Sequence, residues 1–192
     1  MANKIEIAIF ASGNGTNAQR IIEYFTQHPQ IEINCVIYNK KTAKVAQRAA
    51  SLNIPAIYFN RNDFYNTDNV INYLQQHHID YIILAGFLLH VPNNILNIYT
   101  NKILNIHPSL LPKHGGLGMY GEKVHQEVIE QHDTISGITI HKVDDKYDNG
   151  DIVFQTTCPV LPEDTPDTLA QRIHKLEHQY FPQVIEKFVL NK

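Results

Sequence analysis

The chain has 192 residues, a formal net charge of −3, two cysteines and 43% apolar side chains. A chain of this length buries about 70% of its unfolded surface, enough to fold without a disulfide or metal staple, and the composition is not that of a disordered protein. The longest nearly unbroken apolar run, residues 81–89, is too short to cross a bilayer, residues 7–11 lack the make-up of a secretory leader, and the mildly acidic balance offers little attraction to nucleic acid. A cytoplasmic protein with reduced thiols is expected, with neither a membrane nor a nucleic-acid partner.

In chain order, β-branched runs at Ile5–Ala11, Ile31–Tyr38, 56–59, Tyr81–Leu84 and 103–106 alternate with polar stretches of helical spacing at 18–25, 42–52 and 68–76. This alternation predicts βαβ units, hence a Rossmann-like, mostly parallel twisted α/β sheet with helices on both faces. After residue 107 the character changes. Residues 107–120 read as a long loop and 122–131 as a helix. Two strands follow at 135–143 and 152–158, joined by a turn-rich 144–150, and they predict an antiparallel edge. Thr165 is placed as an N-cap with Pro166 at the first helical position, where its missing N–H costs nothing. Leu169, Ile173, Leu176 and Tyr180 then follow at helical spacing, and Pro182 is expected to kink or interrupt the helix. We expect one domain over 1–192, with 1–106 as a mononucleotide-binding half and 107–192 supplying loops and a C-terminal helix.

Four motifs carry candidate chemistry. Ser12-Gly13-Asn14-Gly15-Thr16-Asn17-Ala18 follows the first strand and opens the first helix, where exposed N–H groups favour an anion. Gly13-x-Gly15-x-x-Ala18 fits the relaxed dinucleotide fingerprint, but the second strand ends in Tyr38-Asn39-Lys40-Lys41 without the acid that would hold a ribose. A monophosphate cradle fits better, and a plain β–α turn that binds nothing remains open. Asn105 and His107 share one face of the fifth strand, at the carboxyl end where open α/β sheets bind ligands, with Ile106 turned away. A carboxamide beside an imidazole suits oxyanion stabilisation and proton transfer. Asp144, Asp145, Asp148 and Asp151 crowd one loop, but the spacing fails the calcium-loop pattern. Either this is a solvated turn with Asn149-Gly150 supplying positive φ, or Asp148 partners the imidazole. His174-Lys175-Leu176-Glu177-His178 matches a zinc-peptidase pattern, but a third ligand is missing and the helix reads as an amphipathic packing helix.

Taken together, Ser12–Asn17, Leu84-Ala85-Gly86-Phe87, Asn105-Ile106-His107-Pro108-Ser109-Leu110-Leu111-Pro112 and the Asp148 loop occur in an order that resembles the folate-dependent phosphoribosylglycinamide formyltransferase family, over nearly the whole chain. The resemblance implies a formyltransferase fold and transfer of a formyl group from 10-formyltetrahydrofolate, as co-substrate and without a metal, to the amine of phosphoribosylglycinamide in purine biosynthesis. It implies Asn105, His107 and Asp148 as catalytic residues, Gly15, Thr16 and Asn17 at the substrate phosphate, and Glu177 at the glycinamide. It places Leu88, Leu89, His90 and Val91 along the folate pocket, with Asp144, Tyr147 and Asp148 on the opposite wall and Asn105 between. Asp148 is expected to orient His107 and to favour its imidazolium form through opposite charge. A monomer or homodimer is expected. A formyltetrahydrofolate hydrolase, a tRNA-directed relative and a non-enzymatic nucleotide-binding module are the alternatives; the first two are expected to carry a further domain.

Overall fold

The computed structural model describes residues 4–191. The first strand, β1 (Ile5–Ala11), is apolar almost throughout because both of its faces are covered, and Ile7 to Ala11 are fully buried. Its side chains divide by parity. Ile7, Ile9 and Ala11 enter one core cluster, and Ala8 and Phe10 enter a second on the other face of the sheet. Helix α1 (Thr16–Phe25) buries Ala18, Ile21, Ile22 and Phe25, a helical stripe, against the first cluster. Strand β2 (Ile31–Tyr38), helix α2 (Val45–Ser51) and strand β3 (Ala56–Tyr58) complete this arm.

The chain then turns to the other side of β1. Helices α3 (Arg61–Tyr65) and α4 (Asn69–Gln76) precede β4 (Tyr81–Leu84), and α5 (Asn93–Ile98) precedes β5 (Ile103–His107). Beyond these lie α6 (Glu122–Glu130), β6 (Ile135–Lys142), β7 (Ile152–Pro159) and the long α7 (Pro166–Val189). Among the described residues, seven strands form one sheet in the order β3-β2-β1-β4-β5-β6-β7. β1 to β5 pair in parallel, and β6 and β7 add antiparallel. Strand order reverses between β1 and β4, so the crevice outside their carboxyl ends is where this architecture binds ligands.

The two faces are covered unequally. α1, α6 and α7 pack on the first cluster, whereas the second gathers residues of α3, α4 and α5 and none of β6 or β7. Leu104 and Ile106 point to the first cluster, which leaves Asn105 and His107 on the side where helical cover ends. The expected strands and helices are present with ends shifted by up to three residues. α3 and α5 were not expected from the pattern. α3 is held by a capping box in which the Asn60 side chain accepts from the Asp63 amide while Asp63 accepts from the Asn60 amide.

Of the kink or interruption expected at Pro182, the interruption does not occur: α7 runs through it over 24 residues. Proline removes the hydrogen bond to the carbonyl four residues back, His178, and that oxygen instead receives the Arg20 guanidinium of α1 at 3.4 Å. The Thr165 cap and Pro166 start are as expected, with Thr165 accepting from the Thr168 amide. No described helix is long and apolar enough to cross a membrane.

Candidate active site

The glycine loop is built from both sides of the strand-order reversal. Ser12 follows β1, donates from Oγ to Asn39 Oδ1 at 2.6 Å and accepts from the Leu88 amide at 2.8 Å. It thereby ties the carboxyl ends of β2 and β4 to the loop. Gly15 caps α1 in the left-handed region (φ 77°), and no side chain caps the helix. The first amide N–H groups of α1 are therefore free to meet an anion. Arg48, from α2, donates from Nε to the Asn14 carbonyl at 2.8 Å and from Nη2 to Asn14 Oδ1 at 3.1 Å, so a cation backs the loop. Its part was not readable from sequence.

Beyond the loop opens a cavity of about 760 Å³. Every residue singled out as a site candidate lines it: Gly15, Thr16 and Asn17; Leu88 to Val91; Asn105 and His107; Asp144, Tyr147 and Asp148; and Glu177. Glu177, buried on α7, accepts from Asn17 Nδ2 at 2.9 Å and from His174 Nδ1 at 2.8 Å. That hydrogen bond from His174 lifts its pKa above the ordinary imidazole value. His174 is thus committed to a carboxylate, and no group of three or more His, Cys, Asp or Glu side chains among the described residues is placed to hold a metal ion.

At the end of β5, His107 is buried. Its Nε2 lies 2.8 Å from the His114 carbonyl, and its Nδ1 lies 3.5 Å from Asp148 Oδ2. Because a carbonyl only accepts, Nε2 carries a proton. Burial pulls the His107 pKa below the ordinary value and outweighs the opposing pull of Asp148. Asp148 does favour the imidazolium, as expected from its opposite charge, but desolvation of the enclosed ring costs more than one carboxylate at 3.5 Å returns. For Asp148, burial pushes the carboxyl up, but His141, His107 and the Gly116 amide together hold it below the usual carboxylate range. The Gly116 amide donates to Asp148 Oδ2 at 2.9 Å.

The turn around Asp148 also differs from expectation. Positive φ falls on Asp148 itself (52°), not on Asn149 or Gly150. Gly150 is needed for closeness instead, since a Cβ there would meet the Lys142 carbonyl oxygen at 2.0 Å. A short polar side chain tolerates the left-handed region, so the carboxylate that faces His107 also makes the bend. Asp144 stitches the same loop, accepting from the Lys146 amide at 2.9 Å and from Asn149 Nδ2 at 2.8 Å.

The two walls expected to enclose a folate touch each other. His90 Nε2 donates to the Asp145 carbonyl at 3.2 Å, and the His90 and Tyr147 rings meet edge to face at 4.8 Å. Tyr65 of α3 supports this contact by donating to the His90 carbonyl at 2.8 Å, and Arg61 stacks over the Tyr65 ring.

Sequence reasoning missed His141. His141 on β6 donates from Nδ1 to the Lys142 carbonyl (2.7 Å) and accepts at Nε2 from Asn105 Nδ2 (3.0 Å). One Asn105 N–H is thereby fixed and the other is left for a ligand. The signal for His141 is register, since it pairs directly with Asn105 across β5 and β6. His125, buried on α6, has its pKa pushed down to about 4 by burial, from an ordinary 6.5. The unfolded chain therefore binds more protons than the folded one between these values. Stability should be full above about pH 6.5 and fall by up to about 3 kcal/mol as pH drops to about 4. His125→Gln should flatten that slope in urea unfolding between pH 4 and 7. An unchanged slope would remove His125 as its source.

Known proteins share this fold. Residues 5–185 match the family model described as formyl transferase. The phosphoribosylglycinamide formyltransferase of Bacillus subtilis (strain 168) is 34% identical over 189 residues, which cover 96% of this chain and 94% of that protein. The chloroplastic phosphoribosylglycinamide formyltransferase of Arabidopsis thaliana is 35% identical over 94% of this chain, which spans 64% of that longer relative. A crystal structure of phosphoribosylglycinamide formyltransferase from Anaplasma phagocytophilum superposes with a TM-score of 0.89 at 31% identity, covering 99% of this chain and 89% of that one. With its glycine loop, its Asn105–His107 strand end and its Asp148 bend disposed around one cavity, and with a family match running from β1 into α7, the chain belongs to the formyl transferase family.

Proposed function

We infer that this chain transfers the formyl group of 10-formyltetrahydrofolate to the amine of phosphoribosylglycinamide, a step of purine biosynthesis. The observation that carries the reading is the common cavity. It joins an uncapped helix start suited to a phosphate, a strand end with a free carboxamide N–H and a buried imidazole, and a largely apolar 88–91 wall suited to a flat heterocycle. The reading treats residues 1–192 as one formyltransferase domain, at work in the cytosol as a monomer or homodimer.

Formyl transfer to an amine forms one C–N bond, breaks another, and moves a proton from the attacking amine to the departing nitrogen. In this reading Gly15, Thr16 and Asn17 hold the phosphate, and Glu177, braced by Asn17 and His174, orients the amine. The free Asn105 N–H stabilises the oxyanion that develops on the formyl oxygen. His107, neutral in its buried setting, takes the amine proton at Nδ1 beside Asp148 and returns it to the leaving nitrogen. Leu88, Leu89, His90 and Val91 line one side of the folate, and Asp144, Tyr147 and Asp148 close the other.

The test is to incubate purified protein with both substrates and follow release of the deformylated folate, with controls lacking each. Release that requires the ribonucleotide supports the transferase. Release without it points to a hydrolase, and no release with phosphate-ligand binding intact points to a binding module. Tyr147→Ala, which deletes the ring bridging to His90, should raise KM for the folate by about 5- to 20-fold and leave kcat within about 3-fold. A fall in kcat at unchanged KM would place Tyr147 in the chemical step instead.

A further inference from the structure

The proton on His107 Nε2 is held by a backbone carbonyl, so what holds that carbonyl decides which ring nitrogen can exchange protons. The carbonyl belongs to His114, which sits in the left-handed region at φ 55°. A residue with a β-carbon and no short polar side chain adopts that conformation at a cost of about 1 kcal/mol or more.

The side chain of the same residue is anchored as well. His114 is almost wholly enclosed, its side chain only 4% exposed. Its Nε2 lies 2.7 Å from Asp133 Oδ2, and its Nδ1 lies 3.5 Å from Glu127 Oε1. Glu127 is on α6, and Asp133 lies in the turn between α6 and β6, where its amide donates to the Val128 carbonyl. Asp133 also pairs with Lys113, the preceding residue of the loop, and the Lys113 carbonyl accepts from Ser109 Oγ at 3.0 Å. Neighbouring side chains of one loop are thus anchored on a single carboxylate. Burial raises the Asp133 carboxyl, but Lys113 and His114 together bring it below the usual range, so it stays ionised. None of Lys113, His114, Glu127 and Asp133 lines the cavity, so any effect on chemistry must act through another residue.

We propose that His114, held by Asp133 with Glu127 alongside, is a positioning residue whose carbonyl fixes the His107 proton on Nε2 and leaves Nδ1, facing Asp148, as the nitrogen that exchanges protons. The consequence for turnover rests on the formyl-transfer reading; the consequence for the ring does not.

The other titratable groups around His107 are Asp148 from the loop after β6, His141 from β6, Glu177 from α7 and His125 from α6. None of them is altered by a change at Asp133. Loss of the clamp frees the carbonyl and removes an acceptor that favours the charged ring, so His107 becomes harder to protonate.

The experiment is nitrogen NMR of histidine-labelled protein, with His107 assigned by difference against His107→Asn. In the wild type we expect Nε2 protonated and Nδ1 bare. In Asp133→Ala we expect the His107 signals to report a mixture of tautomers. If the chain turns over as read, kcat should fall about 10- to 100-fold, with KM for each substrate within about 3-fold and the acid limb of the kcat profile moved to lower pH. Asp133→Glu should restore both the ring signals and the limb. Should Asp133→Ala fail to fold, His114→Asn serves in its place, because asparagine accepts the left-handed backbone but cannot span both carboxylates. A wild-type His107 protonated on Nδ1, or a folded clamp variant with wild-type ring signals, overturns the proposal whatever the activity assay gives. Altered ring signals in a protein without transferase activity would leave the clamp standing and overturn only the formyl-transfer reading.

Discussion

Replacing Asn105 with alanine should lower kcat/KM by about 100- to 1,000-fold while the fold persists, the loss expected when an oxyanion donor is removed from an enclosed site. The structure sharpens this expectation. One Asn105 N–H is already spent on His141, so the amide is held in one orientation on the cavity wall. Asn105→Asp keeps the size but replaces the donor with acceptors, and it should be at least as damaging. His141→Ala should do less, because it loosens the donor without deleting it. The check is steady-state turnover alongside thermal unfolding. An Asn105→Ala protein with near-normal turnover would remove this residue from the chemistry, and one that unfolds well below wild type would show that the side chain serves the fold instead.

The second large effect is expected at Gly15. A β-carbon there would lie 2.4 Å from Val45 Cγ2 and 2.8 Å from Val45 Cα, in a residue held at φ 77°. Truncating Val45 relieves the first overlap but not the second, which is backbone. The left-handed conformation costs an alanine about 1–2 kcal/mol, and forced overlap in a packed site about 1–3 kcal/mol more. Gly15→Ala should therefore destabilise the protein by about 2–5 kcal/mol, or else push α1 away from α2 and misaim the amides that meet the phosphate. Denaturant unfolding and binding of a ribose 5-phosphate ligand separate the two. Wild-type stability together with wild-type affinity would mean that the α1–α2 contact gives way at no cost.

Much of the architecture was legible in the sequence because parallel strands covered on both faces read as near-continuous apolar runs, as β1 and β4 do, and because β-branched residues mark β2 and β5 between polar positions. The short helices were not. α3 and α5 hold five and six residues, too few for helical periodicity to declare itself. The unbroken path through Pro182 depends on Arg20, a residue 158 positions from the carbonyl it satisfies, and no local rule carries that pairing. The candidate site residues came from motifs and a family resemblance, and the structure gathers them around one cavity. What surrounds them, such as Arg48 behind Asn14 and His141 behind Asn105, is a product of tertiary pairing. For His107, the carboxylate neighbour that favours its charged form could be read from the sequence, but the extent of its enclosure, which pulls the other way and more strongly, could not.

The contact between Asn17 and Glu177 joins residues 160 apart in sequence. A chain growing from the ribosome displays its glycine loop early but has no carboxylate to brace it until α7 has been made and has docked against α1. On the proposed reading, a loop made early waits for a brace made about 160 residues later, so a chain halted before α7 should bind a phosphorylated ligand less well than the whole.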